Sequence, residues 1–404
     1  MQEPHPFGMS SAGNLRTNPR YEKNGGPITS IQPAFQQDEV CPRMKIEKHR
    51  KRVKTLYVLG AGASHDLSHV AVRKNDFATT ETPLDKNFLK RLKDSAARKG
   101  WQKDSIEYLE AEWLDRDDLL DSGLESAIIS RAGQYDFLSS LHPRITRGKA
   151  SNAAYINHLS HLIGDYLKRC KSNSSGNTRL FIDRLFPKGQ DAAEYENRVI
   201  TFNYDTLIER PLIERGLSRK KIYFDRIALK KGDGTRRNSD DAFPHPLVVK
   251  LHGSTNWRCD ERYFDSIISG KVNSDEKEEI WIDDHDFPNP KDLEAPLIIP
   301  PVPNKPITAA SVFRHLWTVA YEYLHEAENL VIVGYSCPPT DTLARTMFTH
   351  FSAKRLKKIT IVDPDAVALS KYRSLIPEKV RREATWTYYS TFSEHINALS
   401  TGEP

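Results

Sequence analysis

The chain of 404 residues is 38% hydrophobic and 28% charged, which fits a globular protein with one large core and a sizeable insertion. Its net charge of +5 is concentrated: Arg43 to Lys54 carries seven Lys/Arg against one Glu, a local +6, so the remainder sums to −1 and direct nucleic-acid binding is not expected. No apolar run approaches the roughly 18–20 residues that span a bilayer, the polar start lacks an apolar signal core, and Cys41, Cys170, Cys259 and Cys337 form no CxxC pair, so the expectation is a cytoplasmic protein without a disulfide framework or a cysteine zinc site.

Residues 1–53 are rich in Pro, Gly, Asn, Gln and Ser, have no period of 2 or 3.6, and read as a flexible arm with a basic end. Residues 54–82 open an α/β core: the apolar strand around Leu56 to Leu59 runs into Gly60-Ala61-Gly62-Ala63-Ser64, with a helix after Ala63. Glycines directly after a strand let backbone amides approach a dinucleotide pyrophosphate, and the following helix start favours negative charge. The same glycines also serve as a tight turn made for packing. A dehydrogenase fingerprint places a third small residue where His65 stands, which weakens a hydride-transfer reading.

Residues 83–190 repeat apolar residues at three and four and read as a helical insertion, with an exposed turn at Ser172 to Asn177 (SNSSGN). The core resumes over 191–404. RVITFN is a buried strand with a helix from Tyr204, and PLVVKLHG stops at His252 and Gly253. The acidic stretch 258–294 reads as a surface excursion. NLVIVGYS ends at Gly334, and KITIVD ends at Asp363 after a charged helix end at Lys354, Arg355, Lys357 and Lys358. Strands separated by helices, with polar residues and glycines at their C-terminal ends, describe a doubly wound parallel sheet that holds its ligand across those ends.

Three groups carry candidate chemistry. Asn203 and Asp205, in Thr201-Phe202-Asn203-Tyr204-Asp205, can bond ribose hydroxyls or orient a water, and either also suits an N-cap. His252, before Gly253 at a strand end, can act near neutral pH as a base or an orienting group, although an isolated histidine is commonly structural. His65 and His69 stand four apart without a zincin's glutamate, and Gly334-Tyr335-Ser336-Cys337-Pro338 lacks the second glycine of a nucleophile elbow. Neither a metal site nor a hydrolase triad is expected.

Taken in order, GAGAS, TFNYD, LHGS, GYSCPPTD and VDPD, each at a strand end, resemble the motifs of the sirtuin superfamily in its divergent SIR2-like branch. The resemblance spans Thr55 to about Asp365 and implies a Rossmann-like, sirtuin-type fold with NAD as substrate. It implies Gly60, Ala61, Gly62 and Ser64 at the pyrophosphate, Asn203 and Asp205 at the nicotinamide ribose, and His252 as base or orienter. Gly334, Ser336 and Asp363 would follow the adenosine half, with Thr201 and Gly253 also among the cofactor-binding residues.

Two departures sharpen the expectation. Deacetylase-type sirtuins carry a four-cysteine zinc ribbon after the HG motif, where this chain has only Cys259, and Phe202 replaces their glutamine. NAD handling is then retained and peptide handling lost, which leaves water as acceptor. The expected protein is an NAD hydrolase that releases nicotinamide and linear or cyclic ADP-ribose, with Asn203 and His252 catalytic. The SIR2-like branch implies NAD depletion in anti-phage defence, gated by homo-oligomerisation or by a partner such as an ATPase subunit. A non-catalytic NAD- or ADP-ribose-binding scaffold or sensor, and an NAD-dependent protein deacylase, are the other readings.

Overall fold

A computed structural model describes residues 52–67, 176–190, 194–223, 246–269, 280–282, 294–301, 310–353 and 355–401, with short pieces at 88–90, 123–124, 126–128, 159–164 and 166–167 and Val272. The reading of 1–53 as a flexible arm lies outside the described residues up to Lys51, while Val53 already opens the first strand, and most of the 83–190 insertion also lies outside them. The described strands, in chain order, are β1 (Val53–Leu59), β2 (Asn197–Thr201), β3 (Val248–Lys250), β4 (Gly253–Asp260), β5 (Ile280–Ile282), β6 (Glu294–Ile298), β7 (Ala327–Val333), β8 (Lys358–Val362) and β9 (Thr385–Tyr389).

Six of these form one sheet in the order β3-β2-β1-β7-β8-β9, and every pairing is parallel. The chain builds outward from β1 to one edge, then returns beside β1 and builds outward to the other. That is the doubly wound α/β arrangement expected from sequence, and its switch point lies between β1 and β7. Leu56 to Leu59, Val199 and Ile200, and Leu330 to Val333 are buried without alternation, because helices cover both faces of a parallel sheet.

Register delivers the motifs to one level. Leu59 pairs with Thr201 on one side and Val333 on the other, and Val333 pairs with Val362. Gly60, Phe202, Gly334 and Asp363 therefore all leave the sheet at the same C-terminal edge.

The structure departs from the sequence reading in five places. The helix expected from Tyr204 begins at Glu209 and runs to Glu214, so Asn203 to Ile208 is an irregular loop. The helix expected after Ala63 begins at Ala61. Gly176 and Asn177, read as part of a turn, open the helix Gly176–Leu185. Arg355 and Lys357 lie between the helix Thr342–His350 and β8, which Lys358 opens, and are not a helix end.

The fifth departure matters most for the site. The stretch 258–294, where described, is no surface excursion. It belongs to an antiparallel sheet β5-β4-β6 and the helix Glu261–Ser269, which bury Trp257, Cys259, Phe264 and Ile267 in the common core. β4 starts one residue after His252, so this small sheet fixes the exit from β3. A sixth parallel strand, β9, also went unread. Its sequence, TWTYY, lies half buried on a sheet edge and lacks an apolar run. No helix among the described residues is long and apolar enough to cross a membrane.

Candidate active site

The glycines after β1 meet the turn after β7. The Gly60 amide donates to the Val333 carbonyl (2.9 Å) and the Gly62 amide to the Gly334 carbonyl (3.0 Å). A Cβ on Gly60 would sit 2.4 Å from the Gly334 oxygen, and one on Gly334 would sit 2.5 Å from Gly62 Cα. Gly334 also has φ +54°, a left-handed conformation that favours glycine. These glycines thus let two backbones touch at the switch point, and their amides are already used within the fold. Ala61 and Gly62 begin the helix there, partly exposed beside the switch point.

Beside them, Asn203, Ser64 and Asp205 form a directed chain. The Asn203 amide group donates to the Gly60 carbonyl and to Ser64 Oγ, both at 2.7 Å, and the Ser64 hydroxyl donates to Asp205 Oδ2 at 2.6 Å. Asp205 Oδ1 accepts from the Leu207 amide (3.1 Å), and the Asn203 amide hydrogen goes to Thr201 Oγ1 (3.0 Å). Asp205 therefore closes a local turn, which explains why the chain does not enter a helix at Tyr204. Both Asn203 donors are spent, so its carbonyl oxygen is left to accept from a ligand hydroxyl or a water.

His252 is 5% exposed and faces Asp341, with Nε2 3.3 Å from Oδ1. The Tyr335 hydroxyl donates to the other oxygen of Asp341 (2.7 Å). A carboxylate only accepts, so Asp341 suits a proton on the Nε2 that faces it and steadies the ring when it is charged. Burial, with Asp341 alongside, holds the Tyr335 phenol well above its usual range, so it remains a donor. Aromatic rings surround the imidazole: Phe202 edge-on at 5.3 Å, and Tyr204 and Trp317 each at 6.4 Å. Phe202 in turn stacks flat on Tyr335, with centroids 3.8 Å apart and planes 4° apart. Asp341, Tyr335 and Trp317 were not picked out as site residues. Asp341 is the last residue of GYSCPPTD, and an aspartate before a helix ordinarily reads as an N-cap.

The remaining candidates divide. Gly253 has φ +83°, and a Cβ there would lie 1.9 Å from the Leu297 oxygen, so it seats β4 against β6. Ser336 is exposed, and its carbonyl accepts from the Lys371 ammonium. Cys337 is buried at φ +46°, and burial pushes its thiol up to about 12, which makes it a poor nucleophile. Asp363 ends β8 half-buried. Desolvation, with the Asp365 and Asp66 carboxylates nearby, raises its pKa, while the Asp365 amide (2.9 Å) and Lys371 oppose the rise. The structure thus joins Gly60, Gly62, Ser64, Asn203, Asp205 and Gly334 in one cluster, reaches His252 through Phe202, and sets Asp363 farther along the same edge. Among the described residues, no group of three or more His, Cys, Asp or Glu is placed to hold a metal ion.

No family model and no curated protein matches the chain. A solved structure from work on the structural basis of sirtuin substrate affinity is similar at 12% identity. It covers 87% of this chain and 95% of its own, with a TM-score of 0.33. The fold assignment rests on the strand order and register above.

Proposed function

We propose that the chain hydrolyses NAD at the nicotinamide N-glycosidic bond. One observation carries the reading. Two polar groups, the hydrogen-bonded Asn203–Ser64–Asp205 and His252 facing the Asp341–Tyr335 pair, flank Phe202 at the C-terminal edge of a doubly wound sheet, beside its switch point. The first suits ribose hydroxyls and the second suits a proton acceptor.

Breaking the C1′–N bond builds positive charge on the ribose as the electron pair leaves with nicotinamide. The Asn203 carbonyl oxygen orients the attacking water, whose oxygen bonds to C1′. His252 takes one of its protons, and Asp341 steadies the resulting imidazolium. NAD and water become nicotinamide, ADP-ribose and a proton. The motif order GAGAS, TFNYD, LHGS supports SIR2-like ancestry, and with it depletion of a cytoplasmic NAD pool in anti-phage defence, gated by homo-oligomerisation or an ATPase-type partner.

Purified protein is incubated with NAD alone and with an added acyl-lysine peptide, alongside Asn203→Ala and His252→Ala. Nicotinamide release without peptide, lost in both variants, is the expected result. Turnover only with peptide would make the chain a deacylase. Binding without turnover is the second reading, favoured by the 5% exposure of His252. It would appear as ADP-ribose affinity with no nicotinamide released, in the isolated chain and in its assembled complex alike.

A further inference from the structure

Beneath the Asn203–Asp205 loop lies a buried ion pair. Lys250 Nζ, at the end of β3 and two residues before His252, is 2.9 Å from Glu209 Oε1, and both side chains are 1% exposed. The Lys250 ammonium also donates to the main-chain carbonyl of Asp205. Glu209 accepts from the Tyr223 hydroxyl (3.2 Å), which accepts from the Asn256 side-chain amide (3.3 Å), whose oxygen takes the Ser254 hydroxyl (2.7 Å). From the same strand the Thr255 amide donates to the Tyr204 carbonyl (2.8 Å). Two consecutive carbonyls of the loop, at Tyr204 and Asp205, are therefore gripped from β3 and β4.

Burying two charges is costly, and a well-packed apolar pair of the same volume commonly stabilises a core as much or more. Core stability alone therefore gives little reason for these two residues. The geometry points to a positioning role. We propose that Lys250, held in place by Glu209, orients the peptide plane of Asp205, and so aims Asn203 and the Asp205 carboxylate at Ser64. This rests on the reading of Asn203 and Asp205 as substrate-facing residues. It adds that their alignment is set from behind by an ion pair that touches no substrate.

The test separates alignment from stability. Lys250→Met combined with Glu209→Leu removes both charges and leaves no buried ion unpaired, so thermal stability is expected to stay near that of the parent, whereas either single change strands a charge. In the double variant, amide exchange of the peptide covering residues 203–207 is expected to quicken about 10-fold or more, with β1, β2 and β7 still protected. Nicotinamide release is expected to fall on the order of 10- to 100-fold in kcat, with KM moved much less.

A folded double variant with unchanged exchange at 203–207, or with parental turnover, overturns the proposal. If the double variant does not fold, Tyr223→Phe, which removes the hydroxyl joining Glu209 to Asn256, is judged by the same exchange and turnover measurements. Should neither the isolated parent chain nor its assembled complex release nicotinamide, the hydrolase reading fails, and the exchange measurement still decides the positioning claim.

Discussion

Asp341 stands immediately before the helix Thr342–His350, yet its carboxylate turns to His252 Nε2 at 3.3 Å and makes no side-chain cap. The helix start gives up an ordinary stabilising bond, and the imidazole gains a carboxylate beside it.

Asp341→Asn keeps the shape of the side chain and removes its charge. Nicotinamide release from NAD is expected to lose about 100-fold in kcat, in the range seen for general-base machinery, with KM little changed. Tyr335→Phe leaves the carboxylate in place and should cost less than about 10-fold. Parental turnover in Asp341→Asn would detach this pair from the chemistry.

The Phe202 ring lies flat on Tyr335 and edge-on to His252. Phe202→Leu trades this stack for a smaller aliphatic group. A loss of about 1–3 kcal/mol in denaturant unfolding is expected, along with reduced turnover as His252 loosens. Stability equal to the parent would show that the stack contributes nothing.

Gly334→Ala should be costly, about 2–4 kcal/mol, since the added methyl meets backbone at 2.5 Å and φ is +54°. Gly176→Ala is the control. Nothing lies within 4 Å of its added methyl, so it should be neutral or stabilising by up to about 1 kcal/mol. Equal melting temperatures for the two variants would contradict the close-approach account.

His395, on the C-terminal helix, is buried among Tyr57, Tyr389 and Phe392, and neither ring nitrogen has a hydrogen-bond partner. Burial, with Lys358 nearby, lowers its pKa from 6.5 to about 4. The fold thus prefers the neutral ring. Its contribution is full above pH 6.5 and is lost as pH falls towards 4, by about 3 kcal/mol. Unfolding free energies measured between pH 7 and 4 should decline, and His395→Leu should flatten that decline. An identical slope in the variant would assign the acid sensitivity elsewhere.

Much of this was legible from one sequence because parallel strands buried on both faces are continuous apolar runs. LYVL, RVITFN, PLVVK, NLVIV and KITIV each mark a strand, and the motif follows at its end. β9 escaped because TWTYY sits half buried at an edge and shows neither an apolar run nor clean alternation. The small sheet escaped because β5 and β6 enclose a charged segment that masks short strands. Asn203, Asp205 and His252 stand out in the sequence by residue type and place at strand ends. Asp341 and the Lys250–Glu209 pair do not, since each meets its partner through a tertiary contact that local spacing does not encode.

The contact of Gly60 and Gly62 with Gly334 joins segments far apart in the chain. During synthesis β1 leaves the ribosome well before β7 and the turn carrying Gly334 and Asp341. A nascent or truncated chain that already holds Ser64, Asn203 and His252 still lacks the opposite wall, so no fragment ending before Asp341 contains a complete crevice.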